Sequence, residues 1–139
     1  MMRRTTLLAL AALALVAPGA AAQTTASQSK EPETDGRPLS AWIADLKADA
    51  PQVRNAAAYE ISGLGPAAVA AVPALIEALN DPLEVVRYPV CVALREIGPG
   101  AKDAVPALTR TLDDRNDDIA AMARKAIIAI TGQDPRPLE

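Results

Sequence analysis

The chemistry open to this chain of 139 residues is bounded first by a residue type it lacks: it has no histidine. His-based metal sites and the Ser–His–Asp and Cys–His nucleophile systems are therefore unavailable. The densest group of potential ligands is acidic, made of Asp113, Asp114, Asp117 and Asp118. Asp114-x-Asn116-x-Asp118 imitates the opening of a calcium loop, where alternating oxygen ligands surround a hard cation. The imitation fails at two positions. Ile119 stands where a glycine must turn the chain, and Lys125 stands where a bidentate Glu must close the site. These acids read instead as a solvated turn between helices, with carboxylates capping a helix start. Cys91 is the only cysteine, so no intramolecular disulfide forms. A reactive thiol needs neighbouring cations, and Arg87 and Arg95 lie four residues to either side. The simpler expectation is a partly buried thiol that packs as a small hydrophobe. No catalytic residue, metal or cofactor is expected.

What remains is recognition chemistry. Tyr and Arg are enriched at protein interfaces, and Asn55, Tyr59, Tyr88, Arg95 and Lys125 fall on outward positions of successive helices. They are the candidate protein-binding residues. Arg54 and Arg87 recur one repeat apart and are expected to bridge to acidic turns such as Asp49 or Asp81, tying neighbouring units together.

The elements that must position these residues follow from an internal repeat. Leu64-Gly65-Pro66 returns as Ile97-Gly98-Pro99, and Ala71-Val72-Pro73-Ala74-Leu75 returns as Ala104-Val105-Pro106-Ala107-Leu108. Val53-Arg54 maps onto Val86-Arg87, and Leu79-Asn80-Asp81 onto Leu112-Asp113-Asp114. All four blocks share an offset of 33 residues without a gap, and periods of this size mark solenoids. Each unit reads as helix, tight turn, helix. In the middle unit a short turn over 66–71 leads into a helix over 73–79. A second helix runs from about Pro82 to Ile97 and stops at Gly98-Pro99. Val86, Val90, Ala93, Leu94 and Ile97 form its buried face. In the first unit, Leu39, Trp42, Ile43 and Leu46 make one amphipathic stripe. Three pairs result, over 39–65, 66–98 and 99–132, and three is close to the minimum for a stable stack.

Composition agrees. Half the residues are apolar, only 2% are aromatic and none is Phe, so the core must come from many small contacts between closely spaced helices. Alanine richness favours helix. The first 22 residues read as a signal peptide: Arg3 and Arg4, an uncharged run over 7–16, the breakers Pro18-Gly19, then Ala20-Ala21-Ala22 before a cut at Gln23. The apolar run is too short for a comfortable membrane span. Residues 23–37 are polar and read as a flexible linker, and 133–139 as a C-terminal tail. Removing Arg3 and Arg4 leaves twelve cations against seventeen acids, a net charge of −5. That balance argues against nucleic acid and against anionic membrane surfaces. The expected location is exported, periplasmic or extracellular.

Val-Arg, a run of alanines, Leu-Gly-Pro and Ala-Val-Pro-Ala-Leu together resemble the HEAT-like repeats related to phycobilin lyase subunits, over residues 38–132. The resemblance implies an all-α fold, a short right-handed α-solenoid whose second helices line the concave side. It implies protein binding or scaffolding in most members and catalysis in a minority. With no catalytic residues found, the expectation is a protein-interaction or scaffolding module without catalytic activity, binding a protein or peptide. Its alternatives are a lyase-like or chaperone-like protein handling a tetrapyrrole, and a structural spacer that assembles with other repeat proteins. The missing histidines exclude the iron-dependent hydroxylase branch of HEAT-repeat enzymes. Three departures from the pattern stand out. Ile119-Ala120 replaces Val-Arg in the third unit. Pro89 falls inside a helix and is expected to kink it. Glu60 occupies an inward position where later units have Ala93 and Ala126, and must reach solvent or a cation.

Overall fold

With so little aromatic volume, this chain can only close a core by bringing helix backbones near one another. The computed structural model describes residues 30–136. The expected signal peptide, the linker over 23–29 and the last three tail residues lie outside the described residues. Six helices stack as three pairs: α1 (Leu39–Asp45) with α2 (Pro51–Gly63), α3 (Val72–Ala78) with α4 (Glu84–Ile97), and α5 (Val105–Thr111) with α6 (Asp117–Thr131). Two 3-10 segments, Gly65–Ala71 and Gly98–Ala104, join one pair to the next. A two-stranded hairpin, β1 (Glu33–Thr34) and β2 (Arg37–Pro38), precedes α1. The architecture is an all-α solenoid.

The sequence blocks explain the joints. Gly98 holds φ 71° and ψ −140°, a conformation nearly restricted to glycine, so α4 ends there and Pro99 opens the 3-10 segment. A Cβ on Gly100 would lie 2.9 Å from Val69 Cγ2, so glycine there lets the two 3-10 segments approach without displacing the Val69 side chain. Pro73 and Pro106 sit in the first turn of α3 and α5, where a missing N–H costs no hydrogen bond.

Packing is asymmetric between the two helix layers. α2 lies directly on α4 and α4 directly on α6, whereas α1 and α3 meet the following unit through its 3-10 segment. Ala57, Ala58, Val90, Cys91, Ala93, Ala123 and Ala126 are fully buried along the second-helix contacts, and small side chains there permit close approach. Leu75, Leu94, Ile97 and Leu108 fill the space between layers.

Charge joins the units at one edge of the stack. Arg54 Nε donates to Asp81 Oδ2 at 2.6 Å, and its Nη1 donates to the carbonyls of Ala48 and Asp49 at 2.8 and 2.9 Å. Arg87 repeats the pattern, with Nε on Asp114 Oδ2 at 2.8 Å and Nη1 on the Asp81 carbonyl at 2.9 Å. Asp81 thus receives Arg54 on its carboxylate and Arg87 on its backbone, which makes one continuous ladder through three units. Its side chains are only 8–16% exposed. The expected bridges form, although at Asp49 the acceptor is the carbonyl and not the carboxylate. The Asp81 carboxylate also accepts from Leu83 N, and that turn delays α4 from the expected Pro82 to Glu84.

The ladder stops at both ends. At the offset of the repeat, Ala48 stands where Asp81 and Asp114 accept, and Ala120 stands where Arg54 and Arg87 donate. Other contacts cover the ends. Residues 30–37, expected to be flexible, instead fold back over α1: Leu39 N donates to the Pro32 carbonyl at 2.8 Å, and the Arg37 guanidinium lies 4.0 Å over the Trp42 ring. A polar composition hid this because the hairpin is held by a cation–π contact and backbone bonds, not by apolar burial. Glu60 finds no cation there; it is half-buried and accepts from Thr34 Oγ1 at 2.9 Å. At the other end Arg124, placed where Ala58 and Cys91 are buried, pairs with Asp134, and Arg136 reaches Asp113 at 2.6 Å. The start of the expected tail is therefore tied down.

The Arg87 hydrogen bond is the main reason the Asp114 carboxyl is held below its ordinary range. A depressed pKa stabilises the folded chain above about pH 4, the unfolded value, and that stabilisation fades as pH falls through the lower folded value. Arg87→Ala should cost about 1–3 kcal/mol at pH 7 by leaving buried partners unpaired. Urea titrations from pH 7 to pH 2.5 should show the variant losing less stability on acidification than the wild type.

Candidate functional site

The outward face of α2, α4 and α6 carries all five candidate residues, but the structure gives them different tasks. Asn55 Nδ2 donates to the Val85 carbonyl at 2.6 Å, across the boundary between units. Val85 is four residues before Pro89, so it is the carbonyl that Pro89, lacking an N–H, leaves without its helical donor. α4 runs unbroken from Glu84 to Ile97 through Pro89. The side chain of Asn55 replaces the missing donor, and the pair couples two units. Asn55 thus commits one N–H to the joint between units.

Arg95 is also engaged: its guanidinium pairs with Glu96 and approaches Met122 Sδ at 3.7 Å. Tyr59, by contrast, is 47% exposed, and Lys125 is exposed on α6. At the repeat offset Tyr59, Val92 and Lys125 are equivalent positions. Tyr88 is half-buried against the core and lines a cleft of about 490 Å³ with Glu84, Val85, Asn116, Asp118 and Ile119. Of the five candidates, Tyr88 alone lines this cleft.

Two features were missed from sequence. Val85 is 59% exposed, more than any other large apolar side chain among the described residues, and Leu83 beside it is 41% exposed. A signal existed: the equivalents of Val85 in the flanking units are Gln52 and Asp118, so an apolar residue occupies a polar position of the repeat.

The acidic group is dispersed by its contacts. Asp114 faces Arg87, Asp113 faces Arg136, and the side chain that caps α6 is Asn116, accepting from the Asp118 and Ile119 amides at 2.9 and 3.2 Å. The cap is an amide, where a carboxylate was expected. Cys91 is fully buried, more than expected, and burial with the nearby Asp114 charge pushes its thiol up to about 12. Arg87 opposes that rise only weakly because its guanidinium is committed to Asp114. A thiol so placed offers no attachment point for a chromophore or an oxidant.

The HEAT-repeat family model matches residues 39–128, nearly the whole helical stack. The chain belongs to the HEAT-repeat family. Among solved structures it is similar to the crystal structure of an engineered protein from a structural genomics consortium, at 19% identity and a TM-score of 0.60. That likeness covers 68% of this chain and 45% of the engineered one, and it concerns the fold. No curated protein matches the chain. HEAT repeats are generally protein-interaction scaffolds, which directs attention to surfaces and away from catalytic groups.

Two outcomes are expected. Asn55→Ala should cost about 1 kcal/mol in the native chain and less in a Pro89→Ala background, where an alanine N–H can serve Val85; a double-mutant cycle should give a coupling of about 0.5 kcal/mol or more. Cys91 should resist iodoacetamide at pH 8 in the folded protein and react fully in 6 M urea, as mass spectrometry would record.

Proposed function

We propose that this chain is a small exported protein-binding module that recognises a partner along the outward face of its second helices. The observation that carries this reading is the distribution of exposed apolar surface. Among the described residues, three of the six exposed large apolar side chains (Tyr59, Val85 and Ile128) lie on the outward side of second helices, and a fourth, Leu83, immediately precedes α4. Val53, by contrast, stands at the position that Val86 and Ile119 bury in the later units. Apolar side chains gathered on one face of a folded protein mark an interaction site more often than scattered ones do. The family resemblance places second helices on the concave side of such a stack, and their direct packing on one another is in keeping with a surface for an extended or helical segment of a partner.

The spacer reading, in which copies extend one another end to end, fits less well. The Arg–Asp ladder lacks an acceptor at Ala48 and a donor at Ala120, and the hairpin and the Asp134–Arg136 segment lie over the two ends. Export rests on Arg3, Arg4, the apolar run and Ala20-Ala21-Ala22. Among the described residues no helix is long and apolar enough to cross a membrane.

Affinity capture from the native host's exported fraction, with the wild type and a Tyr59→Ala, Tyr88→Ala variant as baits, tests the face. At least a tenfold loss of recovered partner is expected, and retention of every partner would contradict the reading. The captured chain itself should begin at Gln23.

A further inference from the structure

The apolar groove at the start of α4 has a charge that restricts what can fill it. Val85 and Tyr88 form one wall, and Ile119, itself buried, lies at its base. Glu84 and Asp118 complete the lining, and no cation is part of it. The two carboxylates are positioned differently. Glu84 Oε2 accepts from Asn116 Nδ2 at 2.9 Å, and Asn116 is fixed in turn as the cap of α6. Glu84 is therefore held across the boundary between the second and third units, and its Oε1 has no donor among the described residues. The Asp118 carboxylate has neither an ion pair nor a donor among them. On its far side Glu84 shares the adjacent depression with Arg87 and Arg115 and feels the Arg87 charge, but the Arg87 guanidinium is bonded to Asp114. Asp118 is not part of that depression, and Lys125 lies two turns further along α6.

Any occupant meets two demands at once. A purely apolar segment would cover Val85 and Tyr88 but strip water from the Asp118 carboxylate and from the second oxygen of Glu84, which is costly. An acidic segment would add repulsion. A side chain with an apolar stem and a cationic head satisfies both, since Arg and Lys lay their methylenes on apolar surface while the charge reaches outward, and a tyrosine ring attracts a cation at its face. We propose that this cleft receives an Arg or Lys side chain presented by the partner, its stem on Val85 and Tyr88 and its charge between Glu84 and Asp118. The proposal rests on the protein-binding reading and assigns that face its chemical preference.

Two capped hexapeptides serve as probes, one alternating Leu with Arg and the other alternating Leu with Glu, titrated into ¹⁵N-labelled full chain. The Arg peptide should shift the amides of Val85, Tyr88 and Asp118, and the Glu peptide should leave them in place. Asp118→Asn should weaken the Arg peptide at least threefold, and Asp118→Asn with Glu84→Gln at least tenfold, while the dispersed spectrum shows the fold retained. Binding should also weaken as salt is raised. Equal shifts from both peptides at the cleft would overturn the cationic preference while leaving the protein-binding face standing. Shifts confined to other surfaces, or none from the Arg peptide, would overturn the cleft itself; partner capture by a Tyr59→Ala single variant, which leaves the cleft lining intact, judges the face independently.

Discussion

Each unit of this stack leans on the next through one arginine. A pair of short helices cannot bury both of its faces, and alanine-rich contacts contribute little area apiece, so the relative placement of units needs a directional constraint. The guanidinium of Arg54 or Arg87 supplies it. One edge of its fork holds the turn of its own unit, and the other holds the aspartate of the unit after it. A lysine could not reproduce this, because it lacks the planar fork that makes two parallel bonds. The bridge is mostly buried, so its worth lies less in attraction than in the penalty for leaving either partner alone.

Second-helix packing and the binding face follow from that constraint. With the turns held in register, α2, α4 and α6 come close enough for Ala57, Ala58, Cys91, Ala93 and Ala126 to be buried completely, and the residues between them point outward in rows. One row carries Asn55, Tyr88 and Ala121, and its neighbour carries Tyr59, Val92 and Lys125. Asn55 shows how such a face can be partly spent on cohesion: its amide repairs the backbone opening left by Pro89 and stitches α2 to α4. The same boundary logic builds the cleft one unit later, where Asn116 caps α6 and reaches back to Glu84.

Most of the fold was legible because repetition multiplies weak signals. The Leu-Gly-Pro and Ala-Val-Pro-Ala-Leu blocks located both 3-10 joints, and Val-Arg foretold the ladder. What escaped was whatever occurs once. The hairpin over 33–38 has no counterpart in later units and no apolar pattern, so nothing in periodicity announced that Arg37 would cover Trp42. The donor for the carbonyl that Pro89 leaves open was not legible either, because Asn55 is 34 residues away in sequence. Ala120, a departure from the motif, leaves the donor's place in the third unit empty, and there the arginine that meets an acidic turn is Arg124, four residues on, which pairs with Asp134. The cleft was missed for a related reason, since Val85 is unusual only against Gln52 and Asp118 and carries no chemistry of its own.

Native-state hydrogen exchange on Arg87→Ala tests the ladder most directly. If the ladder couples units, the slowest amides of α2, α4 and α6 share one opening free energy in the wild type. In the variant, α5 and α6 should then open at lower free energy while α2 and α4 keep most of their protection. Equal loss of protection in α2, α4 and α6 would contradict a local coupling at that boundary, and unchanged protection in α6 would show that packing alone holds the third unit.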